Sequence, residues 1–256
     1  MKKLAMLTVK GAVGLVPKAV RNKLKSNHKL TEFYSRSLQR SGLFYGFPSE
    51  KKRMALYSAY LKQQSHYMQS LSPVDKSDFK IQVVIFGAKS LSLTLDSLNQ
   101  AGVKHERICV VGESSMGETV RCASTISEAV NDLLESTQLL LLNSGDTISK
   151  VSFNMFLKCD SGVDIVYCDT DKVDTKERRV SPHFLPDWNP DLQLSTGYVF
   201  TGVMCKAALI KKSLVTASSI AGLVTELWLK QPKLSVEHVP YTLVHRFFNK
   251  KRAIES

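Results

Sequence analysis

The sequence lacks any long uninterrupted run of hydrophobic residues. A membrane-spanning helix needs roughly 18 or more of them in a row, and the apolar stretches of this 256-residue chain reach only the length of a β-strand. The first residues combine lysines with apolar side chains, but Lys10 and Lys18 interrupt them and no small-residue cleavage site follows. We therefore expect neither a spanning helix nor a secretory signal, and we predict a cytoplasmic protein, either free or peripheral on the inner face of the plasma membrane.

Cysteine pairs are lacking as well. The five cysteines are scattered and odd in number, without a Cys-x-x-Cys pair or a neighbouring cluster of histidines. This pattern argues against a disulfide framework and against a structural zinc site of the usual spacing. We expect reduced and mostly buried thiols, as is usual in a cytoplasmic protein. The cysteines are Cys109, Cys122, Cys159, Cys168 and Cys205.

Acidic residues are scarce in the N-terminal part of the chain. Residues 1–53 contain only two acids, Glu32 and Glu50, among many lysines and arginines, and they account for most of the formal net charge of +12. A negatively charged partner is implied, which is a nucleic acid, an anionic membrane surface or a diphosphate-bearing substrate. No zinc-finger, RNA-recognition or helix-turn-helix pattern accompanies the charge, so nucleic acid is the partner that we least expect.

The pattern of residues changes near position 77. Apolar residues recur at near-helical spacing through much of the region from Val16 to Met68. The stretch LSPVDKSD that follows is polar and contains a proline, as linkers often do. We predict a basic helical N-terminal segment at residues 1–77 and an α/β domain at residues 78–256.

Beyond the linker, strand-like and helix-like segments alternate. Such alternation is typical of a mostly parallel sheet with helices packed on it. The segment of residues 173–202 is rich in Pro and Asp and is predicted to be irregular. Buried strands are predicted at FKIQVVIFGA, ERICVVGE, QLLLLNSGD and GVDIVYCDTD, and helices at LTLDSLNQAG, TISEAVNDLLEST and SKVSFNMFLKC. Further along, we predict a strand entering a helix at VMCKAALI, a helix near Ile220 to Leu229 and a strand around Leu234 to Val239.

Three polar loops follow predicted strands, with the sequences GESSMGET, NSGDT and CDTDKVD. Ligands of an open α/β sheet bind outside the carboxyl ends of its strands, where such loops converge. Carboxylates in these loops suit a divalent cation that bridges phosphate oxygens. Asp and Ser at strand ends also make turns and cap helices, so both interpretations are open for any single residue. The acids are Glu113, Asp146, Asp169, Asp171 and Asp174.

In the string DIVYCDTDKVDTKERRVSPHFLPDWNPDLQLSTGYVF, a group of acids precedes an Asp-Trp-Asn-Pro-Asp-Leu segment. This stretch resembles one found in family 2 glycosyltransferases of the O-antigen and rhamnosyltransferase type, and three other segments resemble the same family in the same order. Upstream, ERICVVGESSMGET resembles its nucleotide-base loop and LLLLNSGDTISKVSFNMF the region of its aspartate-rich metal motif. Downstream, VEHVPYTLVHRF resembles its closing elements. The resemblance covers about two-thirds of the chain.

The resemblance implies a GT-A-like domain at residues 78–256 that uses a nucleotide-sugar donor, a divalent cation (Mn²⁺ or Mg²⁺) and inverting transfer onto an acceptor hydroxyl. The acceptor is expected to be a lipid-linked or polysaccharide glycan of the bacterial surface, as in O-antigen, lipopolysaccharide or capsule synthesis. Residue by residue, it assigns catalytic roles to Asp146, Asp169 and Asp171, with Asp146 also as metal ligand. It assigns nucleotide binding to Glu113 and Ser115, and a substrate loop to Asp187, Trp188, Asn189 and Asp191.

The sequence also departs from that pattern. Asn143, Ser144 and Gly145 stand where the family has an Asp-x-Asp pair just before Asp146, which leaves a single carboxylate for the metal. Gly112 replaces one of the two adjacent aspartates of the family's base loop. The family's general base is an Asp in the helix before His-Val-Pro, where this chain has small or apolar residues and Glu226 is the nearest carboxylate. These departures keep a second function open, that of a catalytically degenerate module that binds a glycan or a partner glycosyltransferase.

Overall fold

The computed structural model describes residues 15–25, 27–41, 50–70, 81–112, 120–158 and 162–247, together with Thr8, Gly11 and Pro48. The chain divides into two compact units, Met1–His66 and Tyr67–Ser256. The boundary predicted at residues 77 and 78 lies outside the described residues and stays a prediction.

Helices form the described part of the first unit. They are α1 (Lys18–Lys25), α2 (His28–Ser41) and α3 (Glu50–Ser70), whose last residues belong to the second unit. Asn27 separates α1 from α2, because its side-chain oxygen accepts a hydrogen bond from the Leu30 amide at 3.3 Å and caps the new helix. The predicted basic helical segment is therefore found in the described residues. No helix of the described chain is long and apolar enough to cross a membrane.

The described strands of the second unit belong to one sheet. They are β1 (Ile81–Phe86), β2 (Ile108–Val111), β3 (Arg121–Ala123), β4 (Gln138–Asn143), β5 (Asp146–Ile148), β6 (Ile165–Val173), β7 (Arg179–His183), β8 (Val203–Lys206) and β9 (Val236–Phe247). Neighbours follow the order β3-β2-β1-β4-β8-β6-β9-β5, and β7 pairs with the outer part of β6.

Most of these described strands point the same way. β1 to β4 pair in parallel, β8 runs antiparallel to both β4 and β6, and β9 runs parallel to β6. β5 and β7 are antiparallel to β9 and β6. The direction of β1 to β4 is thus shared by β6 and β9. This confirms the predicted α/β class with a mostly parallel central sheet.

Helices pack on the two faces of the sheet because successive strand residues point in opposite directions. In β1, Val83 and Ile85 belong to the core on one face of the sheet, whereas Val84 and Phe86 belong to the core on the other face. Each fully buried Val, Leu or Ile contributes about 1.5–3 kcal/mol, so the two cores hold the strand ends in place. The helices are α4 (Leu91–Gln100) and α6 (Lys150–Leu157) on one face, and α5 (Ile126–Val130), α8 (Ala207–Ser213) and α9 (Ile220–Lys230) on the other.

The sheet curls back on itself. β4 ends at Asn143 and β5 begins at Asp146, although three strands lie between them in the sheet order. The two intervening residues let the strand ends be at most about 11 Å apart. The far edge of the sheet therefore returns to the carboxyl end of β4.

The segment predicted to be irregular contains a strand and a helix. β7 forms a hairpin with β6 whose turn is held by Asp174, since its Oδ1 accepts the amides of Lys176 and Arg178. Helix α7 (Pro190–Thr196) begins after Asn189, whose Oδ1 accepts the Leu192 amide at 2.9 Å. An Asn cap followed by Pro and, further on, by Gly is a helix pattern that the sequence already contained.

Two other elements differ in length from the sequence-based expectation. The helix predicted over TISEAVNDLLEST stops at Val130, because the exposed Asn131 and Asp132 favour a turn. The last strand was predicted to end at Val239 but runs to Phe247. The added residues pair with both β5 and β6, which makes them central to the curled sheet.

Gly202, which precedes β8, provides a test of this packing. Its φ is +65°, and a Cβ there would lie 2.7 Å from the Cys168 sulfur and 2.9 Å from a Val244 methyl carbon. Gly202→Ala should cost about 1–2 kcal/mol for the left-handed backbone and a further 1–3 kcal/mol for overpacking. Gly102→Ala is the matched control, since its φ is +85° and no atom of the described residues lies within 4 Å of its Cβ position. Urea denaturation of both variants measures the difference, and equal losses of stability would contradict the packing described.

Candidate functional site

The candidate site lies at the carboxyl ends of β1, β2 and β4. Backbone hydrogen bonds join these ends: the Gly87 amide donates to Val111 and the Ser144 amide donates to Phe86, both at 3.0 Å. The two loops that follow β1 and β4 are therefore held side by side. This is the edge at which an open α/β sheet binds ligands.

Asp146 is the buried acid of this edge. Its Oδ2 accepts hydrogen bonds from the Asn143 amide at 3.0 Å and from the Thr201 hydroxyl at 2.5 Å. Its Oδ1 lies 3.3 Å from Nε of Arg246, and its side chain is only 2% exposed. Burial raises the pKa of the Asp146 carboxyl, and the contacts with Thr201, Arg246 and Asn143 offset part of that rise.

Helix α4 fixes the turn that carries Asp146. Thr94 accepts the Gly145 amide at 2.9 Å, and Ser97 accepts the Ile148 amide at 3.2 Å. Gly145 has a φ of +91°, a conformation that L side chains rarely adopt, which explains a glycine in this turn. The position of the carboxylate is thus set by α4 as well as by the strands.

Asp169 is enclosed within the domain. Its Oδ1 accepts the Leu185 amide at 2.8 Å and lies 2.9 Å from Nε2 of His238. The His238 ring stacks on Tyr167 with the centroids 4.9 Å apart, and the Tyr167 hydroxyl donates to the Pro186 carbonyl at 2.6 Å. In this arrangement Asp169 ties the segment before α7 to strand β9.

Asp171 is likewise engaged by neighbouring side chains. Its Oδ2 lies 2.6 Å from Nε of Arg179, and its Oδ1 lies 2.7 Å from Nδ1 of His245. Arg179 also donates to the Thr242 carbonyl at 3.0 Å. Asp171 therefore joins β7 to β9, with its own side chain fully buried.

Strand β9 supplies a basic partner to each of the three predicted acids. The pairs are Asp146 with Arg246, Asp169 with His238 and Asp171 with His245. The structure thus brings all three acids against one strand, but in separate contacts. In two of the pairs the basic partner is itself mostly buried, whereas the Arg246 side chain is 46% exposed.

The predicted substrate loop divides into buried and exposed residues. Trp188 contacts Tyr198 and Trp228 at ring-centroid distances of 6.3 and 5.4 Å and packs against the core. Its Nε1 is buried and finds no hydrogen-bond partner among the described residues. Asn189 caps α7. Asp187 and Asp191 are exposed, and Asp187 lies 3.4 Å from Nδ1 of His238.

Two predicted nucleotide-binding residues, Glu113 and Ser115, lie outside the described residues. The helix in which the resemblance places a general base is α9, which lies within the described residues. Leu223 and Val224 are fully buried in α9, and the nearby Glu226 accepts the amides of Thr216 and Ala217 at 3.0 and 3.1 Å. Hydrogen bonding to Lys230 lowers the pKa of Glu226. Glu226 therefore anchors the chain before α9.

The side chains present at this edge do not fit a divalent cation. Both oxygens of Asp146 already face donors, and one of those donors is a guanidinium that would repel a second cation. Across the described part of the chain, no three side chains of His, Cys, Asp or Glu are grouped so that they could hold a metal ion. The single carboxylate of the Asn143 to Asp146 turn therefore does not make the expected metal site.

Sequence reasoning missed Arg246 and Thr201, the two side chains that hold Asp146. Arg246 faces Asp146 because β5 and β9 pair in that register. The two residues are far apart in sequence, and β5 is too short to give a periodic pattern. No local signal could have revealed the pair.

Comparison with known proteins gives matches among solved structures only. No protein-family model and no curated protein matches the chain. Structures of S. aureus TarS 1-349 are similar to it: the protein alone at 15% identity and a TM-score of 0.45, its complex with UDP-GlcNAc at 12% and 0.47, and its complex with UDP at 14% and 0.46. The matches cover 66%, 67% and 69% of this chain and 60%, 59% and 63% of those chains. The chain thus spans about three-fifths of their length.

Trp188 gives a test of the loop's structure. Because the indole packs among Tyr167, Tyr198 and Trp228, Trp188→Ala should lower the free energy of unfolding by about 3–5 kcal/mol. Leu194→Ala is the control on the adjacent helix α7, where the side chain is exposed and the expected loss is below about 0.5 kcal/mol. Urea denaturation measures both. A loss for Trp188→Ala as small as that of the control would show that the indole is an open surface rather than part of the core.

Proposed function

We propose that the protein is a nucleotide-sugar-dependent glycosyltransferase of GT-A fold that acts in bacterial surface glycan synthesis, such as that of O-antigen or capsule. The observation that carries the proposal is the fixed carboxylate of Asp146 at the carboxyl end of β4, with the exposed guanidinium of Arg246 beside it. A cation held at this edge of the sheet suits a diphosphate group. The segment resemblance over residues 164–200 supports the same class.

The proposed reaction is a single displacement at the anomeric carbon of the donor sugar. The acceptor hydroxyl oxygen bonds to that carbon while the bond from carbon to diphosphate oxygen breaks. The diphosphate leaves with the bonding electrons, the hydroxyl proton passes to a base, and attack from the opposite face inverts the centre. Arg246 would lie beside the diphosphate. Among the predicted loop residues, Asp187 and Asp191 offer exposed carboxylates to the sugar or the acceptor.

Calorimetry with nucleotide diphosphates and their sugars tests the proposal. The purified full chain is titrated with UDP, GDP and dTDP and with a sugar conjugate of each. We expect one nucleotide class to bind, and we expect Asp146→Ala to weaken that binding at least about tenfold, because the variant releases Arg246 from its position. Asp132→Ala is the control, since Asp132 is an exposed acid paired with Arg121. Transfer of a radiolabelled sugar from the bound donor into a bacterial lipid extract then tests turnover.

A folded protein that binds none of these nucleotides would contradict the proposal. A protein that binds a nucleotide sugar but transfers nothing would favour the second candidate, a degenerate module that binds a glycan or a partner glycosyltransferase. One observation supports that candidate: Glu226, the carboxylate nearest to the expected position of the base, accepts the backbone amides of Thr216 and Ala217.

A lipid-linked acceptor implies that the protein contacts a membrane. A lipid-linked acceptor would place the protein at the inner face of the plasma membrane, and exposed basic residues of α1 to α3 would contact anionic lipid. Each lysine or arginine near such a surface contributes about 1 kcal/mol.

Vesicle flotation tests this contact. Substituting Lys18, Lys29 and Lys51 by Gln should weaken binding to anionic vesicles on the order of 100-fold. The matched control substitutes Lys104, Lys212 and Lys233, which are exposed in the second unit. Equal binding by both variants would contradict the proposed contact between the basic helices and anionic lipid.

A further inference from the structure

We propose that the guanidinium of Arg246 binds the donor diphosphate directly, so that nucleotide binding needs no divalent cation. This inference rests on the proposed function and specifies how the same site recognises its donor. It assigns the positive charge at the diphosphate to a side chain of strand β9.

Two contacts fix the guanidinium in place. Its Nε lies 3.3 Å from Oδ1 of Asp146, and its central carbon lies 5.1 Å from the centroid of the Phe200 ring. A carboxylate beside Nε and an aromatic ring beneath the central carbon restrict the position of the group. Arg246 is therefore held in place although its side chain is 46% exposed.

Phe200 is in turn tied to the end of β4. Its carbonyl accepts a hydrogen bond from the side-chain amide of Asn143 at 2.8 Å, and the His183 ring stacks on it with the centroids 5.7 Å apart. Asn143 also donates its backbone amide to Asp146. The residues that hold Arg246 are thus part of the loop at which the proposed donor binds.

The outer edge of the guanidinium remains available. Its Nε faces Asp146, and within the described residues no further hydrogen-bond or ion-pair partner of Arg246 is found. The terminal nitrogens carry four N–H groups in one plane, which match the spacing of oxygens on a phosphate. Bidentate binding of one phosphate would use this edge without breaking the contact with Asp146.

A divalent cation would have to displace Arg246 to reach the carboxylate. Asp146 offers two oxygens, of which Oδ2 accepts two hydrogen bonds and Oδ1 faces Arg246. The buried carboxylate and the guanidinium together carry no net charge, and a cation between them would meet like charge at close range. The pair thus occupies the place and supplies the charge that a metal would otherwise bring.

Calorimetry with and without a chelator tests the inference on the full chain. The nucleotide diphosphate selected by the panel is titrated in EDTA and then in Mg²⁺ or Mn²⁺. We expect binding in EDTA, and we expect added metal to change the affinity by less than about twofold. Arg246→Gln should weaken binding in EDTA at least about tenfold, and Arg246→Lys should weaken it less, because the charge stays while the fork is lost.

Two further variants control for structure. Arg178→Gln removes an exposed arginine paired with Asp174 in the β6–β7 turn and should bind as the unchanged protein does. Since Arg246→Gln leaves a buried carboxylate without its partner, the double variant Asp146→Asn with Arg246→Gln removes both charges. It should fold, as a thermal melt checks, and it should still bind at least about tenfold more weakly.

The outcomes distinguish a failure of the proposed function from a failure of the inference about Arg246. A folded protein that binds no nucleotide diphosphate, with or without metal, overturns the proposed function and the inference together. Binding that appears only with metal overturns the inference and leaves the proposed function standing. Binding in EDTA that survives in Arg246→Gln or in the double variant also overturns the inference, because the guanidinium would then not be the diphosphate's cation.

Discussion

Strand β9 contacts each of the three buried carboxylates in the described part of the second unit, and Asp171 is paired with Arg179 of β7 as well. Asp146, Asp169 and Asp171 each face a basic side chain of β9. Removing the partner of a buried charge costs about 3–5 kcal/mol, so the pair of Asp146 with Arg246 stabilises β9 in its observed register. The pairing of β9 with both β5 and β6 supplies that register through the backbone. Backbone pairing and charge compensation therefore enforce the same arrangement.

The pairing of the acids with β9 also determines which charged groups of the candidate site reach solvent. Two of the pairs are enclosed, and they serve to join β7 and the segment before α7 to β9. The third pair lies where the sheet closes on the end of β4, and its basic member reaches solvent. A structural need, the neutralisation of Asp146, thereby places a fixed cation at the edge where an α/β sheet binds ligands. The proposed donor site and the closure of the sheet share these two residues.

The sequence predicted the parts of this fold whose signals are local. Continuous apolar runs gave β1, β2, β4 and β6, and their alternation with helices gave the α/β class. Helix α7 carried a recognisable cap and was missed because the surrounding prolines and aspartates were interpreted as irregular. The full length of β9 was not predictable, since Pro240 and polar residues interrupt its pattern.

The sequence predicted the acids of the candidate site but not the residues that contact them. Asp146, Asp169 and Asp171 follow strand-like runs, which is a local observation. Arg246 and Thr201 reach Asp146 only after the sheet has curled, and that depends on pairing between distant segments. A sequence resemblance can identify a carboxylate, but it does not show whether a metal ion or an arginine side chain pairs with that carboxylate in the folded protein.

The unequal exposure of Asp146 and Arg246 makes the loss of the two residues unequal in cost. Asn in place of the aspartate keeps an acceptor oxygen for Asn143 and Thr201 and leaves a guanidinium that water can solvate. A neutral residue in place of the arginine leaves a buried carboxylate without compensation, which destabilises the fold. The acid therefore depends on the arginine for its stability more than the arginine depends on the acid.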